Sequence, residues 1–181
     1  VLALASQPSF DGNKVDEDWE KISEMPGSPF LNHAFALYTP GSTLKVMTSA
    51  ALLRSGLDTT DLYHCTGTAV INGQVIREQN DKAHGWVNYN LALAKSCNTY
   101  FATFGVEAGD KLFLETAKAF GFGQEIPFEL PVKKSSLTNE EAVPNHLDDN
   151  LLGASSFGQG EVLVSPFHMA LITAGIANKG V

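Results

Sequence analysis

The chain has 181 residues, 44% hydrophobic and 18% charged, which excludes a disordered chain and bounds the fold to one domain or one large piece of a domain. A formal net charge of -8 excludes the clustered basic face of a nucleic-acid binder, and the single basic pair, Lys133-Lys134, reads as a solvated turn beside a Pro-rich loop. Two cysteines, Cys65 and Cys97, and five scattered histidines give neither a disulfide framework nor zinc spacing, so no metal or cofactor is expected. The reading for the cysteines is two unpaired, partly buried thiols, with a bridge between them open in an oxidising compartment.

In chain order, "VLALAS" (Val1 to Ser6) reads as a buried strand, followed by turn chemistry in "QPSFDGN". Residues Lys14 to Leu37 are irregular, with Pro26 and Pro29 breaking any helix. A strong helix starts near Ser42 and stops at Gly56. Its apolar positions (Leu44, Val46, Met47, Ala50, Ala51, Leu53) cover so much of the circumference that burial on most sides is expected. "TAVINGQVIRE" (Thr68 to Glu78) is a β-hairpin about Asn72-Gly73. The stretch from Asn90 to Gly105 is helical on either side of a break near Lys95 to Asn98, and Asp110 to about Phe120 is an amphipathic helix stopped by Gly121. Residues 123–150, with Pro127, Pro131 and Pro144, form a long loop region. A last helix follows, with Ser165 as N-cap, Pro166 at its first position and Gly180 past its end. Few strands are visible and a lone "VLALAS" cannot make a sheet, so its partners are expected outside these residues and both ends read as cut.

Two short patterns carry chemistry. In "YTPGSTLKVMTSAA", Ser42 stands at the mouth of a helix and Lys45 three residues on, which puts both on one face with Cβ atoms about 5–6 Å apart. The unpaired N–H groups of a first helical turn favour negative charge developing on the serine. A lysine among apolar residues has its ammonium form disfavoured and moves toward base-competent pKa values. The competing reading is an N-capping serine beside a snorkelling lysine. The second pattern is Ser96-Cys97-Asn98 in "AKSCNTYF", where a hydroxyl suited to proton relay and an amide suited to holding a peptide group lie two residues apart in a helix break. Its bland reading is a break satisfied by its own side chains.

Taken together, "YTPGSTLKVMTSAALLRSGL", "ALASQPSFDGN", "HGWVNYNLALAKSCNTYFATFG" and "FGQGEVLVSPFHMALITAGIANKG" resemble, in order, segments of the penicillin-binding transpeptidases, closest to the class B, monofunctional group. The resemblance spans nearly the whole chain. It implies an α/β (α+β) fold of the penicillin-binding protein/β-lactamase type, present as a single partial domain over residues 1–181, mostly its helical part with the antiparallel sheet incomplete. It implies a peptidoglycan D,D-transpeptidase: Ser42 is the nucleophile toward a D-alanyl-D-alanine stem peptide and Lys45 its base. Ser96 shuttles the proton, Asn98 binds the donor backbone, and β-lactams are covalent inhibitors. It further implies an extracytoplasmic location, a membrane anchor outside this segment and a glycosyltransferase partner. The family's Lys-Thr-Gly motif does not occur here and is expected just beyond Val181, so the bare segment is expected to be inactive.

Two alternatives share the fold. A serine β-lactamase needs a deacylating glutamate, and none of Glu125, Glu129, Glu140 and Glu141 stands in the "ExxLN" pattern expected for one. A β-lactam-sensing receptor acylates the same serine without crosslinking. Trp19 and Trp86 read as packing or loop anchors and His84 as a loop histidine bonded to backbone. Gln159 and Glu161 read as turn residues, and Asp148 and Asp149 as loop solvation.

Overall fold

The computed structural model describes residues 2–180 as seven α-helices and four short strands. Helix α1 spans Val15–Ser23 and α2 spans Lys45–Arg54, the latter entered through a 3-10 turn at Gly41–Leu44. Strands β1 (Tyr63–Cys65), β2 (Thr68–Ile71), β3 (Gln74–Arg77) and β4 (Gly85–Val87) follow. Then come helices α3 (Tyr89–Ala94), α4 (Asn98–Ala108), α5 (Asp110–Ala119), α6 (Asp149–Ser155) and α7 (Pro166–Ala177). The strands form two antiparallel pairs. In the hairpin β2–β3, Ile71 opposes Gln74 across Asn72 (φ +43) and Gly73 (φ +81), the two positive φ values of a type I′ turn. In the outer pair β1–β4, Cys65 opposes Gly85 and Tyr63 opposes Val87, so the pair brackets the hairpin in sequence.

Helix α2 lies between two apolar clusters. Leu44, Met47 and Ala51 pack with Phe113, Leu114 and Ala117 of α5 and with Leu152, Val164 and Ile172. Leu52 packs on the other side with Cys65, Val87, Tyr100 and Phe101. Each fully buried Leu, Met or Phe of these clusters contributes about 1.5–3 kcal/mol. The same enclosure leaves Lys45 only 1% exposed, so the expectation of a helix buried on most sides holds.

The chain is delivered to that helix by two close approaches. Tyr38 and Val164 exchange backbone hydrogen bonds of 3.0 and 2.9 Å, and the Gly41 N–H donates to the Gly158 carbonyl at 2.8 Å. A Cβ on Gly158 would stand 1.8 Å from the Gly41 oxygen, and Gly158 sits at φ +79, so only glycine fits there.

Several expectations need correction. The first residues form no strand: Leu2 and Leu4 are exposed and no ladder partner exists for them among the described residues, while Val1 lies outside those residues. Residues 15–23 are a helix, because Val15, Trp19 and Ile22 share one face ahead of Pro26. Helix α6 emerges from the supposed loop because Asp148 caps it, its carboxylate accepting the Leu151 N–H at 2.8 Å. The outer pair β1–β4 has no counterpart among the strands expected from the sequence. The α7 cap matches expectation: Ser165 Oγ accepts the His168 N–H at 3.1 Å and Pro166 leads the helix.

Candidate active site

The site is built where the entry to α2 meets the break between α3 and α4. A 3-10 turn eclipses residues three apart, so Ser42 and Lys45 stack directly, and Lys45 N–H closes the turn on the Ser42 carbonyl. Helix α3 ends in a Schellman arrangement, with Ser96 N–H on Leu93 O at 3.1 Å and Cys97 N–H on Ala92 O at 2.8 Å. That motif places Ser96 at φ +56, a position glycine normally takes. A serine there costs about 1–2 kcal/mol, and what it adds is a hydroxyl aimed at Ser42.

The four side chains singled out in the sequence meet. Lys45 Nζ lies 3.1 Å from Ser42 Oγ, 3.0 Å from Ser96 Oγ, 2.7 Å from Ser96 O and 2.7 Å from Asn98 Oδ1. Ser96 Oγ stands 2.7 Å from Ser42 Oγ, closing a triangle of two hydroxyls and an amine. The two carbonyl oxygens can only accept, so they take two of the amine's protons. The remaining tetrahedral position of Nζ faces both hydroxyls and holds either a third N–H or a lone pair. In the neutral amine it is the lone pair, so the geometry fits a base able to take a hydroxyl proton.

Burial is the largest influence on this amine and lowers its pKa from 10.5 to about 8, while the negative charge of Glu78 and the thiol of Cys97 behind it pull the other way. The Phe101 ring, 5.6 Å below Nζ, also favours the cation. About a tenth of the lysine is therefore neutral at pH 7.

Glu78, which ends the hairpin, was missed by the sequence reading. Its buried carboxylate accepts the Asn98 N–H at 2.9 Å and the Thr99 N–H at 2.7 Å, the first N–H groups of α4. Burial pushes its pKa up, but the bonds from Thr99 and Asn98 outweigh that and hold it below the usual carboxylate value. Asn98 Nδ2 reaches back to Arg77 O at 3.1 Å, so the hairpin end fixes both faces of Asn98. Cys65 and Cys97 are free, as expected, and fully buried, and burial is the main reason the Cys97 thiol rises to about 12.

Ser42 opens on two clefts. One, of about 220 Å³, runs past Ser96 and Asn98 to Glu78, Lys82 and His84; the other, of about 540 Å³, runs between β3 and the Phe157–Gly160 turn. His84 thus lines the cleft instead of bonding backbone through its ring, and its Nδ1 is buried without a hydrogen-bond partner. Neither Gln159 nor Glu161 is confined to its turn: Gln159 lines the second cleft, and Glu161 reaches a distant segment, accepting the Asn139 N–H at 2.9 Å. Glu125, Glu129, Glu140 and Glu141 line neither cleft, and Glu125 pairs with Lys134 at 3.2 Å. Trp19 stacks on Phe30 and Trp86 on His64; both are exposed, and neither lines the two clefts at Ser42.

Residues 1–181 match the family model for the penicillin-binding protein transpeptidase domain. The chain is 32% identical to the peptidoglycan D,D-transpeptidase PbpA of Mycobacterium tuberculosis, over 100% of this chain and 39% of that protein. It superimposes on the ceftriaxone acyl-enzyme of penicillin-binding protein A from M. tuberculosis with a TM-score of 0.88 at 33% identity, covering 99% of this chain and 42% of that one. A chain from a peptidoglycan synthase complex that coordinates polymerization and crosslinking matches at TM-score 0.81 and 30% identity, over 96% of this chain and 32% of that one. The chain therefore spans about two fifths or less of the proteins it resembles here. With a family match over its full length and a serine, lysine, serine and asparagine gathered at one cleft, the chain belongs to the penicillin-binding protein transpeptidase family.

Proposed function

We propose that the protein carrying this sequence is a peptidoglycan D,D-transpeptidase that works through an acyl-enzyme on Ser42. The observation that carries the reading is the closed triangle of Lys45 Nζ, Ser42 Oγ and Ser96 Oγ, with edges of 3.1, 3.0 and 2.7 Å, over a lysine whose burial keeps part of it neutral near pH 7. The family's D,D-transpeptidase PbpA and the ceftriaxone acyl-enzyme of its relative support it.

The chemistry follows from the atoms in place. Neutral Lys45 takes the Ser42 hydroxyl proton as Oγ attacks the carbonyl between the two terminal D-alanines of a stem peptide. The Ser42 N–H, in the first turn and without an intrahelical partner, supplies one oxyanion donor. The other donor and the carboxylate-binding strand are assigned to residues outside these 181. Ser96 passes a proton from the lysine to the departing amine, and D-alanine leaves as the acyl–serine ester forms. Asn98, its amide fixed by Arg77 O and Lys45, holds the donor peptide's backbone. In the second half the acceptor amine attacks the ester, gives its proton back through Ser96, and frees Ser42.

The proposal extends to a protein at the extracytoplasmic face of the bacterial membrane, anchored outside these residues and partnered with a glycosyltransferase. The relative found in a synthase complex supports that partnership. No helix among the described residues is long and apolar enough to cross a membrane. The test is to supply a stem pentapeptide and an amine acceptor and to follow both products by mass. Crosslinked peptide with stoichiometric D-alanine is expected. Release of D-alanine with hydrolysis alone, or a stable β-lactam adduct with no peptide turnover, would move the reading to a hydrolase or a receptor.

A further inference from the structure

The hairpin β2–β3 has two outer edges, and they are finished differently. Its two-residue turn makes Ile71–Gln74 a hydrogen-bonded pair, Ala69–Ile76 is the next, and the bond from Glu78 N–H to Gly67 O at 2.9 Å continues the series. Val75 and Arg77 fall in the alternate pairs, opposite Val70 and Thr68, and turn their backbone groups away from β2. The Arg77 carbonyl fixes that direction, because it accepts the Asn98 side-chain amide at 3.1 Å. On β2 the corresponding outward carbonyl, that of Thr68, is taken by the Thr66 hydroxyl at 3.1 Å. On β3 the Val75 N–H, the Val75 carbonyl and the Arg77 N–H have no partner among the described residues.

This edge borders the larger of the two clefts at Ser42. Residues 74–77 form one wall of its space of about 540 Å³, and the Phe157–Gly160 turn forms the other, with Ser42 and Asn98 between them. The Gln74, Gln79 and Gln159 carboxamides line the same cleft and make no side-chain hydrogen bond among the described residues. A row of unpaired main-chain groups is a template for strand addition. A cleft that carries such a row, with amide side chains around it, matches the donors and acceptors of an extended peptide and not those of a compact apolar ligand.

We propose that the free edge of β3 docks the acyl half of the donor peptide, which adds to it as a parallel strand. The proposal rests on the transpeptidase reading above and assigns the part of that site that holds the residues before the scissile bond. Two arguments choose the occupant and its direction. The departing and attacking amines exchange protons with Ser96, which lines the smaller cleft and not this one, so the acyl half is left to the larger cleft. The Arg77 end of β3 is the end linked to Ser42, through Asn98 and Lys45 by contacts of 3.1, 2.7 and 3.1 Å. A donor peptide arrives at Ser42 with its C-terminal side, so it runs as β3 runs.

In a parallel ladder one peptide residue stands beside Val75. The carbonyl before it accepts the Val75 N–H, and the N–H after it donates to the Val75 carbonyl. The carbonyl of that following residue accepts the Arg77 N–H. The ladder stops there because Asn98 already holds the Arg77 carbonyl. Main-chain bonds supply the affinity, so the edge selects an extended, unsubstituted backbone ahead of any particular side chain.

The test compares a stem pentapeptide with N-acetyl-D-alanyl-D-alanine, which keeps the scissile bond and almost none of the upstream backbone. Release of D-alanine by the protein carrying this sequence is read as kcat/KM. Three main-chain bonds at about 5-fold each predict a preference of about 100-fold for the pentapeptide. Pentapeptides N-methylated at one upstream amide at a time, used on the unaltered protein, should single out one amide. Turnover should be about 5-fold or more slower there and within about 2-fold for the amides beside it. Val75→Pro removes an outward N–H and no bond to β2, and should cut the pentapeptide preference at least about 5-fold with circular dichroism unchanged. An N-methyl series with no sensitive amide overturns the docking edge whatever the variant does, and so does a full preference in folded Val75→Pro. Benzylpenicillin separates this result from the underlying reading. A Ser42 adduct on the unaltered protein together with an insensitive N-methyl series removes the β3 edge alone, whereas no adduct and no D-alanine release remove the transpeptidase and the edge with it.

Discussion

If Lys45 is the base that activates Ser42, acylation must follow the lysine's loss of its proton. Burial sets that pKa at about 8, so the neutral fraction is about a hundredth at pH 6, about a tenth at pH 7 and about nine tenths at pH 9. The second-order rate of acylation by a β-lactam whose carboxylate does not titrate in this range should climb about 90-fold between pH 6 and pH 9 and level off above. Lys45→Arg keeps the charge but cannot lose its proton, so the rising limb should vanish and the rate at pH 9 fall by about 10²–10⁴. Stopped-flow measurement with a fluorescent penicillin, with circular dichroism at each pH to confirm the fold, reads both effects. A flat profile, or an inflection near the ordinary lysine value of 10.5, would refute the assignment of the amine as base.

Three further outcomes follow from particular positions. Ser96→Gly relieves a non-glycine residue at φ +56, so the midpoint of denaturant unfolding should rise by the equivalent of about 0.5–1 kcal/mol while acylation slows about 10²-fold or more; a slower enzyme with no gain in stability would contradict the strain argument. Gly158→Ala puts a Cβ 1.8 Å from the Gly41 carbonyl and should cost about 3 kcal/mol or more in unfolding and also impair Ser42, whereas a near-neutral change would show that the approach to Gly41 is not tight. His168 is buried with Nδ1 2.6 Å from Ser135 Oγ and Nε2 2.8 Å from Phe120 O, and burial, the leading cause, lowers its pKa below 6.5. Its neutral form belongs to the folded state, so the unfolded chain takes up the proton first. Stability should be full well above pH 6.5 and decline as the pH falls through that value toward the lower folded pKa. Thermal melts of the wild type and His168→Gln between pH 7.5 and 5.5 should show the steeper loss in the wild type.

What the sequence made legible was local. The Ser42–Lys45 stack depends only on three-residue spacing and a helix start, and the break at Lys95 to Asn98 announces itself through the polar interruption of an apolar run. The Asn72-Gly73 turn specifies its hairpin alone, and Ser165 and Pro166 specify the start of α7. What it hid depends on long-range pairing. Strands β1 and β4 are three residues each, too short for a period-two pattern, yet they decide that His84 stands beside Glu78 and Cys65. Glu78 reads in sequence as the polar end of a hairpin; only the fold turns its carboxylate onto the N-terminus of α4. Helix α6 is seven residues with a single turn-like signal, Asp148, which also suits a loop. "VLALAS" shows the opposite failure, an apolar run that implied burial where Leu2 and Leu4 are exposed.

The central claim is that Ser42 is the acyl-accepting nucleophile. The most direct measurement is intact mass spectrometry of the protein carrying this sequence after exposure to benzylpenicillin, followed by peptide mapping. The account predicts one penicilloyl adduct, on the peptide containing Ser42, absent in Ser42→Ala and formed far more slowly in Lys45→Met. An adduct on any other residue, or one that persists in Ser42→Ala, would contradict it.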